Sequence, residues 1–178
     1  LAVVFYAEVQ MWYSVITVNR IDGPGAIRAS TRGGQDVFLY GSGLGATGTR
    51  LRARYGRKAW NPARWYETEC EVEVGEDRER LRCQTVPGTG SDLYWRVEDP
   101  GGRPSKVSEV NSSYAPPLIV RFEGEGASGA STRGGEEVTI IGDNFGVDST
   151  TIDAVRYGDL GVPEFDMTPN CSVTEPHT

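Results

Sequence analysis

Cys70, Cys83 and Cys171, the single histidine His177, and runs of closely spaced carboxylates are the side chains here able to support catalysis or bind a metal. None of these finds the partners its chemistry needs. Triad hydrolysis requires a base held beside its nucleophile, and one histidine near the last residue cannot provide that for a repeated chain. The cysteine spacing is not Cys-x-x-Cys, which with a lone histidine argues against zinc. Glu67 and Glu69, or Glu71 and Glu73, could act as acid and base, but acids in alternation read as the solvated face of a strand. Asp143, Asp148 and Asp153 match no calcium-loop spacing. Gly43-Leu44-Gly45-Ala46-Thr47-Gly48 fits the dinucleotide fingerprint, which needs a helix next to hold the pyrophosphate. The next segment, Arg50 to Tyr55, instead alternates as a strand, and the related Gly142-Asp143-Asn144-Phe145-Gly146 breaks the pattern. The chain is therefore read as non-enzymatic, with no catalytic residue, metal or cofactor.

Other residues point to contact and modification. Trp60, Trp65 and Tyr66 crowd into an otherwise polar stretch, where they could stack on a sugar or a protein partner. They could equally fold back over the end of a sheet. Asn111-Ser112-Ser113 and Asn170-Cys171-Ser172 are N-glycosylation acceptor triplets, so Asn111 and Asn170 are candidate glycan sites. Arg50, Arg52, Arg54, Arg57 and Lys58 form the one basic cluster, which reads as the solvent face of a strand. A net charge of −7, with acids spread along the chain, opposes nucleic-acid binding, which needs a basic stripe.

Short strands would have to hold these side chains in place. The 178 residues are 38% hydrophobic and 24% charged, with 23 Gly and 10 Pro set between short apolar runs. That composition favours many tight turns and an all-β protein. Leu51, Ala53 and Tyr55 alternate with arginines, Leu93, Trp95 and Val97 with Tyr94 and Arg96, and Leu81 shares a face with Cys83. A period of two bounded by Gly, Pro or Asp is the signal of a half-buried strand. The longest apolar run, Leu1 to Ala7, is too short to span a bilayer, so no membrane contact is expected within this segment.

The chain also resembles itself. Ser30-Thr31-Arg32-Gly33-Gly34 recurs unchanged as Ser131-Thr132-Arg133-Gly134-Gly135, an offset of 101 positions. Gln35-Asp36-Val37-Phe38-Leu39-Tyr40-Gly41 matches Glu136-Glu137-Val138-Thr139-Ile140-Ile141-Gly142, Leu44-Gly45 matches Phe145-Gly146, and, after a one-residue insertion that makes the offset 102, Arg54-Tyr55-Gly56 matches Arg156-Tyr157-Gly158. A period of this size means whole domains in series. The paired glycines lie between strands, where positive φ suits a tight hairpin turn. Leu44 and Phe145 read as plugs returning to the core.

The run of paired glycines, Val, Gly, a hydrophobic residue and Gly, then Arg-Tyr-Gly, Cys70, and Cys83 before Pro87, resembles the IPT/TIG family of immunoglobulin-like domains. The resemblance implies tandem immunoglobulin-like β-sandwiches of the E-set type. Residues 1–14 would be the last strand of a preceding module, 15–115 a complete module, and 116–178 the N-terminal part of a truncated one. It implies a bridge between Cys70 and Cys83, with Cys171 aligned to Cys70 and paired to a residue beyond Thr178. Closing a loop of about 14 residues would stabilise the fold by roughly 3 kcal/mol. Two reduced, buried thiols remain the other reading.

In that family such domains stand in tandem in large extracellular and cell-surface proteins. The expectation is an internal segment of a multi-module protein, extracellular or at the cell surface, serving as a stiff spacer and protein-interaction array. A surface filament, flagellar-hair or coat component and a receptor ectodomain all fit. Partners would be neighbouring modules, other copies, other extracellular proteins or glycans. Prolines at Tyr114-Ala115-Pro116-Pro117 would limit bending between modules. The alternatives are a carbohydrate-binding module using Trp60, Trp65 and Tyr66, and an intracellular DNA-binding or dimerisation module of the Rel type.

Overall fold

The computed structural model describes residues 15–59, 61, 65–75, 79–159 and 162–176. Residues 1–14, expected to be the last strand of a preceding module, lie outside that range. The architecture is all-β, as the alternating segments predict. Seven strands come first: β1 (Thr17–Asp22), β2 (Asp36–Ser42), β3 (Arg50–Arg57), β4 (Tyr66–Val74), β5 (Glu79–Gln84), β6 (Leu93–Glu98) and β7 (Asn111–Ser112). They form one sheet in the order β1-β2-β5-β4-β3-β6-β7, antiparallel throughout.

The period of two decides what is buried. Val37 and Leu39 of β2, Leu51, Ala53 and Tyr55 of β3, Val72 of β4, Leu81 of β5, and Leu93, Trp95 and Val97 of β6 all face one core. Burying each large aliphatic side chain contributes roughly 1.5–3 kcal/mol. Leu44 reaches this core from its loop, as its flanking glycines suggested.

The sheet curls back on itself. Ala29 forms a parallel bridge with Tyr114, its amide donating to the Ser113 carbonyl at 2.8 Å while the Ala115 amide donates to its own carbonyl at 2.7 Å. The chain between β1 and β2 thus makes a detour to the far edge. Gly33 and Gly34 take left-handed φ values of 74° and 78°, but they turn the chain inside this long connection. The expected tight hairpin is replaced because the backbone groups at Ala29 find partners beside Tyr114.

Four more strands complete the described chain: β8 (Leu118–Glu123), β9 (Thr139–Asp143), β10 (Arg156–Asp159) and β11 (Val162–Asp166), with β8 paired to β9 and β10 to β11. The β8–β9 ladder reproduces the β1–β2 ladder position for position. Thr17↔Ser42, Val18↔Gly41, Arg20↔Tyr40 and Ile21↔Leu39 become Leu118↔Asp143, Ile119↔Gly142, Arg121↔Ile141 and Phe122↔Ile140, with the bulge at the same place. A Cβ on Gly41 would lie 1.7 Å from the Thr17 carbonyl oxygen, and one on Gly142 1.8 Å from that of Leu118. Only glycine permits that approach, so the motif glycine and the strand crossing form one device used twice.

The two copies differ in burial. Val18 is 5% exposed and Tyr55 1%, while their equivalents Ile119 and Tyr157 are 52% and 58% exposed. In the first copy β4 to β7 cover these positions, and among the described residues 116–176 carry no counterpart of β5 to β7.

Candidate functional site

Cys70 and Cys83 sit directly opposite each other on β4 and β5, with Cα atoms 4.3 Å apart, and form a disulfide. Both are buried, so the bond is a staple inside the core. Cys171 is a free, half-buried thiol that comes directly after a 3-10 turn, Thr168–Asn170. The hairpin β10–β11 places Phe165 opposite Tyr157 as β3–β4 places Tyr66 opposite Tyr55.

Arg50, Arg52 and Arg54 of the basic cluster lie on the outward face of β3. Arg54 donates through Nε to Glu67 Oε2 at 2.8 Å, and Arg52 pairs with Glu98 of β6 at 2.9 Å. On β5, Arg80 pairs with Glu73 at 2.7 Å and Arg82 with Asp36 at 2.9 Å. Acids of β6 and β4, arginines of β3 and β5, and Asp36 of β2 thus alternate strand by strand across the sheet. The hydrogen bond from Arg54 holds the Glu67 carboxyl below the usual range, and the bond from Arg82 does the same for Asp36. Glu67, Glu69 and Glu71 stand opposite Arg54, Arg52 and Arg50 in the ladder. These carboxylates complete a lattice of charge in solvent rather than an acid–base pair.

The aromatic segment folds inward where it is described. The Trp65 indole lies over Gly56, whose Cβ would come within 2.6 Å of the ring, and Arg96 stands 5.6 Å from the ring centre. The glycine of Arg-Tyr-Gly is thereby a seat for an indole. Tyr66 turns to the core and packs on Tyr55 at 5.1 Å and Tyr114 at 5.7 Å between ring centres. Its hydroxyl accepts from the Thr89 amide and donates to the Thr89 carbonyl, both at 3.0 Å. Trp60 lies outside the described residues.

Beneath Tyr66 the buried hydroxyls form a closed ring. The Val86 amide donates to Tyr55 Oη at 2.9 Å, and Tyr114 donates to the Val86 carbonyl. With the Tyr114 proton committed, the 2.7 Å contact between the two hydroxyls must be Tyr55 donating to Tyr114. Burial pushes the Tyr55 hydroxyl up to about 12 and drives Tyr114 up as well. The sequence signalled Tyr114 only as part of the Tyr114-Ala115-Pro116-Pro117 junction, with no sign of this ring.

Asn111 and Asn170 are both exposed. Asn111 opens β7, with its amide 3.4 Å from Asp92 Oδ1. A cleft of about 280 Å³ is lined by Arg57, Tyr66, Thr89, Gly90, Thr150, Thr151 and Asp153. Its polar groups are engaged with each other: Arg57 pairs with Asp153 at 3.0 Å and Tyr66 with Thr89. Among the described residues no group of three or more His, Cys, Asp and Glu could hold a metal ion, and no helix is long and apolar enough to cross a membrane. His177 lies outside them.

The arrangement staples, pairs and covers. No family model, curated protein or solved structure matches this chain.

Proposed function

We propose that this chain is a non-catalytic segment of a multi-module extracellular or cell-surface protein, acting as a stiff spacer and protein-interaction array. Its units are tandem immunoglobulin-like β-sandwiches of the IPT/TIG kind, one spanning residues 15–115 and another beginning at 116. The observation that carries this reading is the repetition of β1–β2 by β8–β9 in the same register, with the same bulge and the same glycine contact. A chain that copies a whole ladder some hundred residues later is built from units in series. In this reading Ile119, Phe122, Val138 and Tyr157 are core positions of the second unit.

The Cys70–Cys83 disulfide supports an oxidising compartment. The inward seating of Trp65 and Tyr66 favours an array over a sugar-stacking platform. Surface filament, coat component and receptor ectodomain are the concrete forms of such an array.

Non-reducing peptide mapping of protein from its native source tests the proposal. Cys70 joined to Cys83, with glycan on Asn111, is the expected result. Free thiols with an unmodified Asn111 would remove the extracellular reading and return the intracellular module to consideration.

A further inference from the structure

The described part of residues 116–176 does not merely succeed the first unit; it touches it through a polar seam at one end of the sheet. Asn144 adopts a left-handed backbone, φ 66°, at the position where the first copy has Gly43 with φ 70°. Glycine would satisfy that conformation, and asparagine is one of the few residues that tolerates it. What the asparagine adds is a side chain with two uses. Its Nδ2 donates to the Pro116 carbonyl at 3.3 Å, and its Oδ1 accepts from Thr31 Oγ1 at 3.5 Å. Thr31 is buried, in the connection between β1 and β2.

Two further links lie beside it. Arg57, the last residue of β3, pairs with Asp153 at 3.0 Å, and Thr89 Oγ1 donates to the Thr151 carbonyl at 3.4 Å. Gly146 packs so closely that a Cβ there would come 2.8 Å from the Thr89 methyl group. Thr89 is itself held by the Tyr66 hydroxyl, and the chain leaves the first unit from Tyr114, whose hydroxyl belongs to the buried ring.

Asn144 and Asp153 are not inherited with the repeat. Asn144 stands in place of Gly43, and the offset of 102 that relates Arg156-Tyr157-Gly158 to Arg54-Tyr55-Gly56 sets Asp153 against Leu51 of the first copy. The strand ladder is copied while the side chains facing the neighbour are changed.

We propose that this seam is a specific latch that fixes the orientation of the second unit on the first, with Asn144 and the Arg57–Asp153 pair as its determinants. The inference rests on the two-unit reading and explains how a spacer becomes stiff at a joint. Mapping of disulfide and glycan reads compartment, whereas alignment in solution reads the joint, so either can fail alone.

The test is residual dipolar couplings on the full 178-residue chain, fitted separately for residues 15–115 and 116–176. A common alignment tensor is expected for the wild type. In the combined Asn144→Gly and Asp153→Arg variant the magnitude for the second set should fall about twofold or more, while couplings within the first set still fit its structure. Adding Arg57→Asp to Asp153→Arg should restore the common tensor by reversing the pair. Different tensors in the wild type, or a common tensor unmoved in the combined variant, would overturn the latch. Failure of the charge reversal to restore the tensor would remove the Arg57–Asp153 pair as a determinant.

Discussion

Tyr55 Oη lies 2.7 Å from Tyr114 Oη inside the core, joining the centre of β3 to the residue where the chain leaves the first seven strands. Both hydroxyls also serve Val86, one accepting from its amide and the other donating to its carbonyl. The ring holds the segment after β5 against the aromatic cluster of Tyr55, Tyr66, Trp95 and Tyr114. No group in it is left unpaired.

Replacing Tyr114 by Phe should therefore cost more than one hydrogen bond. It leaves the Val86 carbonyl and the Tyr55 proton without partners in the interior, a loss of about 1–3 kcal/mol. Tyr55→Phe orphans the Val86 amide at a similar cost. Because both changes break the same ring, the double variant should lose less than the sum of the two. Denaturant unfolding followed by tryptophan fluorescence measures all three; strict additivity would contradict the ring.

The pH dependence has a definite sign at each end. Tyr55 is raised from 10.0 to about 12, so its folded form keeps a proton that the unfolded form gives up. Its contribution is complete below pH 10 and is lost as pH rises toward about 12. Tyr55→Phe should flatten stability in that alkaline window. Glu67 and Asp36 are lowered by their arginine bonds. Their contributions are complete above the ordinary carboxylate range and are lost as pH falls through the lowered values. Glu67→Gln should make the acid limb shallower, measured by thermal unfolding across pH.

Reduction of the disulfide should weaken the fold without abolishing its topology. Cys70 and Cys83 already lie in adjacent paired strands, so the bond acts mainly by restricting the unfolded chain. Cys70→Ala with Cys83→Ala should cost roughly 3 kcal/mol, read from the shift in denaturant midpoint. An unchanged midpoint would mean the staple adds nothing to the ladder.

Glycine at the strand crossing should be intolerant of any side chain. Gly41→Ala places a methyl group 1.7 Å from the Thr17 carbonyl oxygen and must separate β1 from β2. The cost should lie at the upper end of the roughly 1–3 kcal/mol that overpacking brings. Amide exchange should accelerate in β1 and β2 ahead of β4 and β5. At Gly56, Ala would press on Trp65 and should shift its fluorescence to longer wavelength, with a smaller loss of stability because the indole is only half-buried and is a side chain rather than backbone.

Much of the strand pattern was legible because burial in a sheet follows a period of two. Arg50, Arg52 and Arg54 against Leu51, Ala53 and Tyr55 predicted which face meets solvent, and the ladder confirms it. The tight hairpin expected at Gly33-Gly34 was misplaced for a reason that local sequence does not carry. Its flanking chain pairs with Tyr114, more than eighty residues away in sequence, and that bond outweighs the local turn preference. The seating of Trp65 was open between two outcomes, since an aromatic beside a glycine reveals nothing of the face on which the two will meet.

An all-β chain with a repeated unit and alternating strands could be read from the residues in order. Each of these rests on local periodicity or on identity between copies, which need no knowledge of distant contacts. The strand order, the buried tyrosine ring, the cover of Gly56 by Trp65, and the seam from Asn144 to Thr31 and from Arg57 to Asp153 emerged only when the chain was folded. Those features join residues far apart in the chain. Their partners are chosen by packing and by the need to pair buried polar groups, not by spacing along the chain.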